Sequence, residues 1–440
     1  MFIGYFTEMP YQDPNSGYFG ATGRPIEDLS LSNAEYDPRL AAELYHRYYD
    51  EKLYAEEMGF DGLVLNEHHS TPFCMQGVTN TTAAILARIT ERAKIVLLGN
   101  VLPLWDDPLW LAEELAMIDT ISRGRLVTGW VRGTGRESVT HNASPTYNWE
   151  RYQEAHDFIL KAWTEPGPFR WEGEHYDFRY VNPWSRPYQD PHPPIWIPGQ
   201  VSKNTMEWAA KHRYPYIMNA VAEEPTKRAF EYYAEVAARE GYEAGPQHTG
   251  YLIKVHIDET EELAYETGKK YIEGPGNIFL EGSRGQARGH LQRLPGLVDR
   301  TQLLPTAQAR GVAGARGFEE KSDKEAAASE VAAPLSSAEA TPHGQRSYDE
   351  LLETGSIVTG TPKTVIPKIR HILEYIRPGS IFFWDGDGAM THDDAMRSLR
   401  LWGSDVLPAI REIADELELN SPFDVDPATN LPIEQDAVAL

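Results

Sequence analysis

The sequence has little cysteine, few basic side chains and no long hydrophobic run. Its single cysteine, Cys74, excludes an intramolecular disulfide and a zinc site built from several cysteines. The 41 Lys and Arg residues against 66 Asp and Glu give a net charge of −25, which argues against nucleic acid or an anionic membrane as a partner. Nowhere do about eighteen apolar residues follow one another, so no membrane span is predicted. Residues 1–14, MFIGYFTEMPYQDP, are typical of a strand and not of a secretion signal, and we therefore expect a cytoplasmic protein.

Strand-like and helix-like patterns alternate along the 440 residues, of which 41% are hydrophobic. Such alternation is typical of parallel strands joined by helical crossovers. Eight segments have the composition of buried strands: 2–6, 61–65, 94–98, 125–131, 195–197, 216–219, 251–257 and 380–384. Eight strands favour a closed barrel over an open sheet, so we predict an α/β fold, a (β/α)8 TIM barrel, as a single domain over 1–440. The last helix is predicted as one element over 393–416.

Three long segments interrupt this alternation. Residues 7–37 follow the first strand, and residues 167–194 precede the fifth strand and predict a hairpin around RWEGEHYDF. Residues 273–347 form the longest insertion, in the region of the seventh strand. The middle of this insertion, 319–342, is rich in Ala, Ser, Glu and Lys and is predicted to be mobile. A segment of this length within one domain is either a functional lid or a disordered excursion.

Polar residues follow the second predicted strand. Asn66, Glu67, His68 and His69 come directly after the apolar run GLVL. Adjacent side chains on an extended chain point in opposite directions, so the two imidazoles do not easily bind one metal ion, and we predict no metal site. An acid–base histidine whose tautomer is fixed by a neighbouring carboxylate fits this pattern better. The alternative is an ordinary hydrogen-bonded pair at the start of a loop.

Two other segments could bind an anion such as phosphate. In LVTGWVRGTG, Arg132 could offer its guanidinium to phosphate oxygens, and Gly133 lets the backbone approach the same group. In PGQVSKNT, a turn leads into a helix start that contains Val201, Ser202 and Thr205, where free N–H groups favour an anion. The alternatives are a surface arginine and a simple N-cap by Ser202.

Several segments, taken together, resemble the bacterial luciferase family of flavin-dependent monooxygenases. The resemblance rests on five stretches in the same order: GFDGLVLNEHHS (59–70), VLPLWDDPLWLAEELAMIDTISRGRLVTGWVRG (101–133), NTMEWAAKHRYPYIM (204–218), VTGTPKTVIPKI (358–369) and WGSDVLPAI (402–410). The fold of that family is a (β/α)8 barrel, which agrees with the alternation of strands and helices.

The resemblance implies roles for individual residues. His68, preceded by Glu67, corresponds to a histidine needed for flavin–oxygen chemistry, and Arg132 to an arginine that holds the FMN phosphate, with Ser202 and Thr205 closing that site. A family arginine aligns with Trp149, and Arg151 is expected to replace it. A non-proline cis peptide bond is expected at Gly99–Asn100, or second at Leu98–Gly99, beneath the flavin ring. Candidates for the substrate pocket at the barrel mouth are Phe6, Trp105, His141 and Asn142.

The resemblance also implies a reaction. We expect an FMNH2-dependent monooxygenase that activates O2 as a flavin C4a-peroxide, with His68 controlling protonation. A separate NAD(P)H:flavin reductase is expected to supply the reduced FMN, because no GxGxxG follows a strand. We also expect a homo-oligomer, a dimer. The alternatives are an F420-dependent hydride-transfer oxidoreductase on the same barrel and a non-catalytic flavin-binding paralogue. Hydroxylation, Baeyer–Villiger oxidation and aldehyde oxidation of the small-molecule substrate all stay open.

Overall fold

The computed structural model describes residues 1–13, 32–133, 135–200, 202–219, 222–272, 347–386 and 390–433. The insertion predicted over 273–347 lies outside these residues except for Ser347, and so does much of the segment after the first strand. Within the described residues, no helix is both long enough and apolar enough to cross a bilayer.

Twelve strands and twelve helices lie within the described residues. The strands are β1 (Phe2–Phe6), β2 (Gly62–Leu65), β3 (Lys94–Leu97), β4 (Asn100–Val101), β5 (Leu126–Val131), β6 (Phe169–Glu172), β7 (Asp177–Val181), β8 (Ile195–Gly199), β9 (Tyr216–Asn219), β10 (Thr249–Ile257), β11 (Ile357–Gly360) and β12 (Ser380–Trp384). The helices are α1 (Pro38–Glu57), α2 (Thr79–Ile89), α3 (Pro108–Ser122), α4 (Gly135–Thr140), α5 (Asn148–Thr164), α6 (Lys203–Lys211), α7 (Glu223–Arg239), α8 (Glu261–Ile272), α9 (Tyr348–Glu353), α10 (Pro362–Ile376), α11 (His392–Leu401) and α12 (Leu407–Glu416).

Eight parallel strands close into a barrel, as predicted. Their order is β1, β2, β3, β5, β8, β9, β10 and β12, and β12 pairs again with β1. The first strand shows the closure directly, because Phe6 lies opposite Val64 on β2 and opposite Trp384 on β12. All eight carboxyl ends therefore meet at one mouth, where this type of barrel carries its functional groups.

Alternation along the strands separates two apolar layers. On β1, Phe2 and Phe6 point into the barrel interior, whereas Ile3 and Tyr5 belong to the layer between the barrel and its helices. Large rings fill the interior, and the Phe6 and Trp384 rings lie 5.2 Å apart near the mouth. The barrel is thus a packed core that presents side chains at its upper rim.

The hairpin predicted before the fifth barrel strand is confirmed, with β6 antiparallel to β7. The prediction of one helix over 393–416 is wrong, because a π-helical segment, Trp402–Val406, separates α11 from α12. Pro408 lies in the first turn of α12 and has no N–H to continue the hydrogen-bond ladder, so the preceding turn is wider. Strand β11, which was not predicted, pairs with the outer part of β10 from Lys254 onward.

A buried ion network fastens α11 to the ends of β10 and β12. The ring nitrogens of His256 lie 3.5 Å from Asp258 Oδ2 and 3.3 Å from Asp385 Oδ1. Arg397 on α11 donates to both carboxylate oxygens of Asp258, at 2.7 and 2.9 Å. Burial alone would lower the pKa of His256, but the two carboxylates outweigh it and raise that pKa to about 9.

We predict that this network makes the stability of the protein fall at alkaline pH. The folded His256 keeps its proton up to about pH 9, whereas an unfolded histidine loses it near pH 6.5. Its contribution is therefore complete below about pH 6.5 and is lost as the pH rises through 9, by up to about 3 kcal/mol. Urea unfolding from pH 6.5 to 9.5 should show this slope in the wild type and a flatter one in His256→Gln. His46 is exposed, so the control His46→Gln should keep the wild-type slope. The prediction would be contradicted if the free energy of unfolding of wild type and of His256→Gln changed in parallel with pH.

Candidate functional site at the barrel mouth

His68 reaches the mouth from the end of β2 and lies between acidic side chains. Its Nδ1 is 3.1 Å from Glu137 Oε1, and its ring centroid is 5.5 Å from that of Phe73. The His68 side chain is 27% exposed, whereas the Glu137 side chain is 2% exposed. The carboxylate beside His68 is thus buried and the imidazole is accessible, which suits a group that exchanges protons with a ligand.

Glu67 does not pair with His68 but faces the other way. Its Oε1 lies 3.3 Å from His69 Nε2, and its Oε2 accepts a hydrogen bond of 3.2 Å from Asn100 Nδ2. Asn100 Nδ2 also donates to Asn80 Oδ1, at 3.0 Å. Glu67 therefore holds His69 and the start of β4 in place, and any effect of Glu67 on His68 is indirect.

Asn100 carries a buried acceptor that the described residues leave open. Its side-chain carbonyl oxygen, Oδ1, has no hydrogen-bond partner among them, although the residue is fully buried. A buried polar group without a partner is costly, so this atom suits a ligand or a bound water.

The cis peptide bond lies at Leu98–Gly99, so the first choice, Gly99–Asn100, is wrong by one residue and the second choice is correct. At Gly99 the backbone passes so close to β5 that a Cβ atom would lie 2.2 Å from the Gly129 carbonyl oxygen. The position admits no side chain. Gly99 is thus required where β3 and β5 approach each other below the mouth.

Arg132 follows β5 and has the properties of an anion-binding group. Its guanidinium lies 5.2 Å from the centroid of the Trp149 ring, in cation–π contact. Burial lowers the pKa of Arg132, and within the described ranges no carboxylate forms an ion pair with it. An anion placed here would offset the desolvation of the guanidinium.

Gly133 next to Arg132 forms a turn that needs glycine. Its φ is +76°, and a Cβ atom would lie 2.5 Å from Val101 Cγ1. The backbone can therefore pass close to β4, and the space beside Arg132 is left without a side chain.

The segment after β8 lies beside Arg132. Tyr216 on β9 donates to the Gln200 carbonyl at 2.9 Å, and burial raises the pKa of this tyrosine while Arg132 acts against the rise. Ser202 is the N-cap residue of α6, yet its side chain makes no capping hydrogen bond; it accepts one from Thr205 Oγ1 at 3.2 Å. Ser202 therefore occupies the N-cap position, but the capping hydrogen bond of the simple N-cap alternative is absent. Val201 lies outside the described residues.

Arg151 lies on α5 and hydrogen-bonds to the loop before α3. Its Nε donates to the Pro103 carbonyl at 3.0 Å, and its Nη2 to the Trp105 carbonyl at 3.2 Å and to Asp106 at 3.0 Å. Trp149, two residues earlier, lies against Arg132. The expected contact of Arg151 with the cofactor stays a prediction.

The four candidates for the substrate pocket lie in different parts of the structure. Phe6 lines the barrel interior, whereas Trp105 packs against the apolar layer between the barrel and its helices. The assignment of both residues to the substrate pocket stays a prediction. The His141 ring centroid lies 4.0 Å from that of His69, and burial together with His69 lowers the pKa of His141. Asn142 is exposed, with a φ of +52°.

Two buried carboxylates at this mouth, Glu8 and Glu137, were not singled out from the sequence. Glu8 lies two residues beyond β1 and accepts a hydrogen bond from Asn66 Nδ2. Glu137 lies in α4, shortly after the glycine turn at Gly133. The sequence did contain an indication of these two residues, because acidic residues that follow barrel strands lie at the mouth. Within the described residues, no three His, Cys, Asp or Glu side chains converge to hold a metal ion.

The chain belongs to the family described as Luciferase-like monooxygenase, which matches residues 34–377. Alkanal monooxygenase alpha chain from Photorhabdus luminescens is 30% identical over 190 residues, 43% of this chain and 52% of the relative. The oxygenase component of flavin-dependent trigonelline monooxygenase from Acinetobacter baylyi is 28% identical over 179 residues, 40% of this chain and 49% of the relative. The chain thus spans about half the length of the curated relatives it matches.

Solved structures of similar fold cover nearly the whole chain. The oxygenating constituent of 3,6-diketocamphane monooxygenase from Pseudomonas putida, in complex with FMN, covers 93% of this chain and 98% of its own, with a TM-score of 0.66 and 19% identity. An F420-dependent secondary alcohol dehydrogenase covers 93% and 99%, with a TM-score of 0.59 and 15% identity. At these identities the likeness establishes the fold alone. The predicted family and barrel are both confirmed.

We predict that Gly133→Ala destabilises the protein more than an equivalent change at an open site. Gly241 has a φ of +85° with nothing within 4 Å of its would-be Cβ, so Gly241→Ala measures the cost of the backbone angle alone, roughly 1 kcal/mol. Gly133→Ala should cost about 2 kcal/mol or more by urea unfolding, because the new methyl group meets Val101. Adding Val101→Ala should recover part of the loss. Equal costs at the two glycines would show that the turn has room for a side chain.

Proposed function

We propose that this chain is an FMNH2-dependent monooxygenase that uses O2 to oxygenate a small organic substrate. The observation that carries the proposal is the pairing of two features at one mouth: a partly buried Arg132 beside a glycine turn, without an ion pair to any carboxylate that the structure describes, and an accessible His68 backed by a buried carboxylate. The first suits a phosphate-bearing cofactor and the second suits control of a proton. Family membership supports the same chemistry.

The residues present fit FMN in three respects. Arg132 would hold the phosphate, with Ser202 and Thr205 at the start of α6 on the neighbouring strand connection. Gly133 leaves room beside that group, and Asn100 offers an open acceptor. When bound, reduced FMN supplies the electrons that activate O2.

His68 would then hold or release a proton at Nε2, since its Nδ1 faces Glu137. Proton control matters here because activated oxygen that is protonated too early leaves as hydrogen peroxide. Phe73 and the packed rings of Phe6 and Trp384 provide apolar surface next to the mouth, which limits water. A non-catalytic flavin carrier would have no use for a buried carboxylate behind an accessible imidazole.

The cofactor is tested by Arg132→Ala. Its affinity for FMN should fall about 30-fold or more, since a charge-assisted contact with phosphate contributes roughly 2 kcal/mol. Affinity for riboflavin, which lacks the phosphate, should be the same in wild type and variant by fluorescence titration. The control Arg186→Ala, which removes hydrogen bonds to the Trp163 and Thr164 carbonyls at the end of α5, should bind FMN normally but melt at a lower temperature. Tight binding of F420 but not FMN, with no oxygen uptake from the reduced complex, would favour the deazaflavin alternative.

His68→Asn tests the proton role. The wild-type protein, loaded with FMNH2 and mixed with oxygenated buffer, should release hydrogen peroxide slowly, and His68→Asn should release it at least about tenfold faster. His69→Asn should stay close to the wild type, because His69 is held by Glu67 away from His68. A faster release in His69→Asn than in His68→Asn would mean that the other imidazole manages the proton.

We also propose two partners. A separate NAD(P)H:flavin reductase would supply FMNH2, in keeping with relatives whose names call them an oxygenase component or an oxygenating constituent. The second partner is another copy of this chain. Trp110, Met117 and Ile121 are 66%, 52% and 45% exposed on one face of α3, and such an apolar stripe is typical of a contact surface.

The dimer is tested by Trp110→Glu. Sedimentation velocity of the wild type should give a dimer, and Trp110→Glu should give a monomer because a charge would be buried in the interface. Leu431→Glu is the matched control: Leu431 is 63% exposed, its neighbour Asn430 accepts a hydrogen bond from Gln247 before β10, and its change should leave the dimer intact. A monomeric wild-type protein would refute this partner.

A further inference from the structure

His68 is flanked by two buried carboxylates that differ in distance. Glu137 Oε1 lies 3.1 Å from Nδ1, within hydrogen-bond range, whereas Glu8 Oε2 lies 3.9 Å from Nε2, outside that range. Glu8 accepts instead from Asn66 Nδ2. Of these two carboxylates, Glu137 is therefore the one that hydrogen-bonds to the His68 ring.

We propose that Glu137 is the positioning residue that fixes the Nδ1–H tautomer of His68 and reserves Nε2 for proton exchange. An ionised carboxylate only accepts hydrogen bonds, so the ring nitrogen that faces Glu137 must carry a proton. Nε2 is then the nitrogen that gains or loses one. Such a role requires a carboxylate that cannot turn to solvent, and Glu137 is 1% exposed.

The backbone around Glu137 explains why its carboxylate stays in place. Ser138, the next residue, accepts a hydrogen bond of 3.0 Å from Asn148 Nδ2 at the start of α5. The Ser138 carbonyl also accepts from the Ala143 N–H at 2.8 Å. The short helix α4 is thus tied to both the following loop and α5, so Glu137 is fixed relative to the barrel.

The same turn connects Glu137 to the anion site. Arg132 and Gly133 come directly before α4, and a Cβ atom on Gly133 would lie 3.4 Å from Glu137 Cβ. The catalytic use of the His68 proton rests on the proposed function. The tautomer does not, because it is a property of the protein without flavin. A group bound by Arg132 would sit on the segment that orients His68.

The test is a pH titration of the imidazoles by NMR in the full chain labelled with 15N-histidine, without flavin. His68 is assigned by the signals that disappear in His68→Asn. The wild type should show neutral His68 with its proton on Nδ1. Glu137→Gln should lower the titration midpoint of His68 by at least about one pH unit, because the nearby negative charge is removed, and should mix the two tautomers.

Matched variants separate this role from a general loss of charge or structure. Glu137→Asp keeps the charge and should retain the Nδ1–H form, and Glu8→Gln should shift the midpoint less than Glu137→Gln. Glu235→Gln removes an exposed charge on α7 and should change nothing. The proposal is overturned if Glu137→Gln and wild type titrate alike, or if Glu8→Gln alone moves the midpoint. Should Glu137→Gln not fold, Glu137→Asp decides: a neutral Nε2–H form in that variant would overturn the proposal.

The NMR titration is carried out without flavin, so a protein that fails to bind FMN would still give the same titration result. Conversely, a fixed Nδ1–H tautomer in a protein that binds no FMN would refute the proposed function and keep the role of Glu137.

Discussion

Burial of negative charge at the mouth is the constraint on which the site depends. Glu8, Glu67 and Glu137 are all buried at the carboxyl ends of the strands, in a chain that already carries a net charge of −25. A buried carboxylate costs several kcal/mol unless donors match it, so each one dictates the orientation of its neighbours. Their donors include Asn66 for Glu8, the side chains of Asn100 and His69 for Glu67, and His68 for Glu137. The two adjacent histidines thus face different carboxylates, and their roles differ for that reason.

The constraint also connects the two halves of the site. The anion site that we propose uses Arg132, and His68 lies against the Glu137 carboxylate, so the six-residue segment from 132 to 137 provides the arginine at one end and the carboxylate at the other. Gly133 makes this possible because a larger residue would push the segment away from Val101. Binding and proton control therefore share one turn, and a change in that turn affects both.

Local patterns in the sequence predict much of the fold. The apolar composition of the strand segments and their alternation with helical segments place every barrel strand to within a few residues, and the hairpin follows from its turn composition. The failures have physical causes that act over distance. The helical pattern over 393–416 is continuous in the sequence, but the wide turn before Pro408 interrupts the helix. Strand β11 forms because the outer half of β10 still has an open edge. Residues after strands could be placed at the mouth, but their pairings could not, since Glu137 and His68 are 69 positions apart.

The barrel alone does not decide between oxygen activation and hydride transfer, because the fold is shared with the oxygenating constituent of a monooxygenase in complex with FMN and with an F420-dependent dehydrogenase. An arginine at the phosphate does not decide either, since both cofactors carry phosphate. The two reactions differ in what they require of the groups that transfer protons near the redox-active ring of the cofactor. Hydride transfer to a carbonyl needs a proton delivered once, to an oxygen atom of the substrate. Oxygen activation needs a proton withheld until the substrate has bound, which calls for an imidazole whose tautomer is fixed by a neighbouring group. The buried Glu137 behind a partly exposed His68 meets the second requirement, and on that ground we favour the monooxygenase.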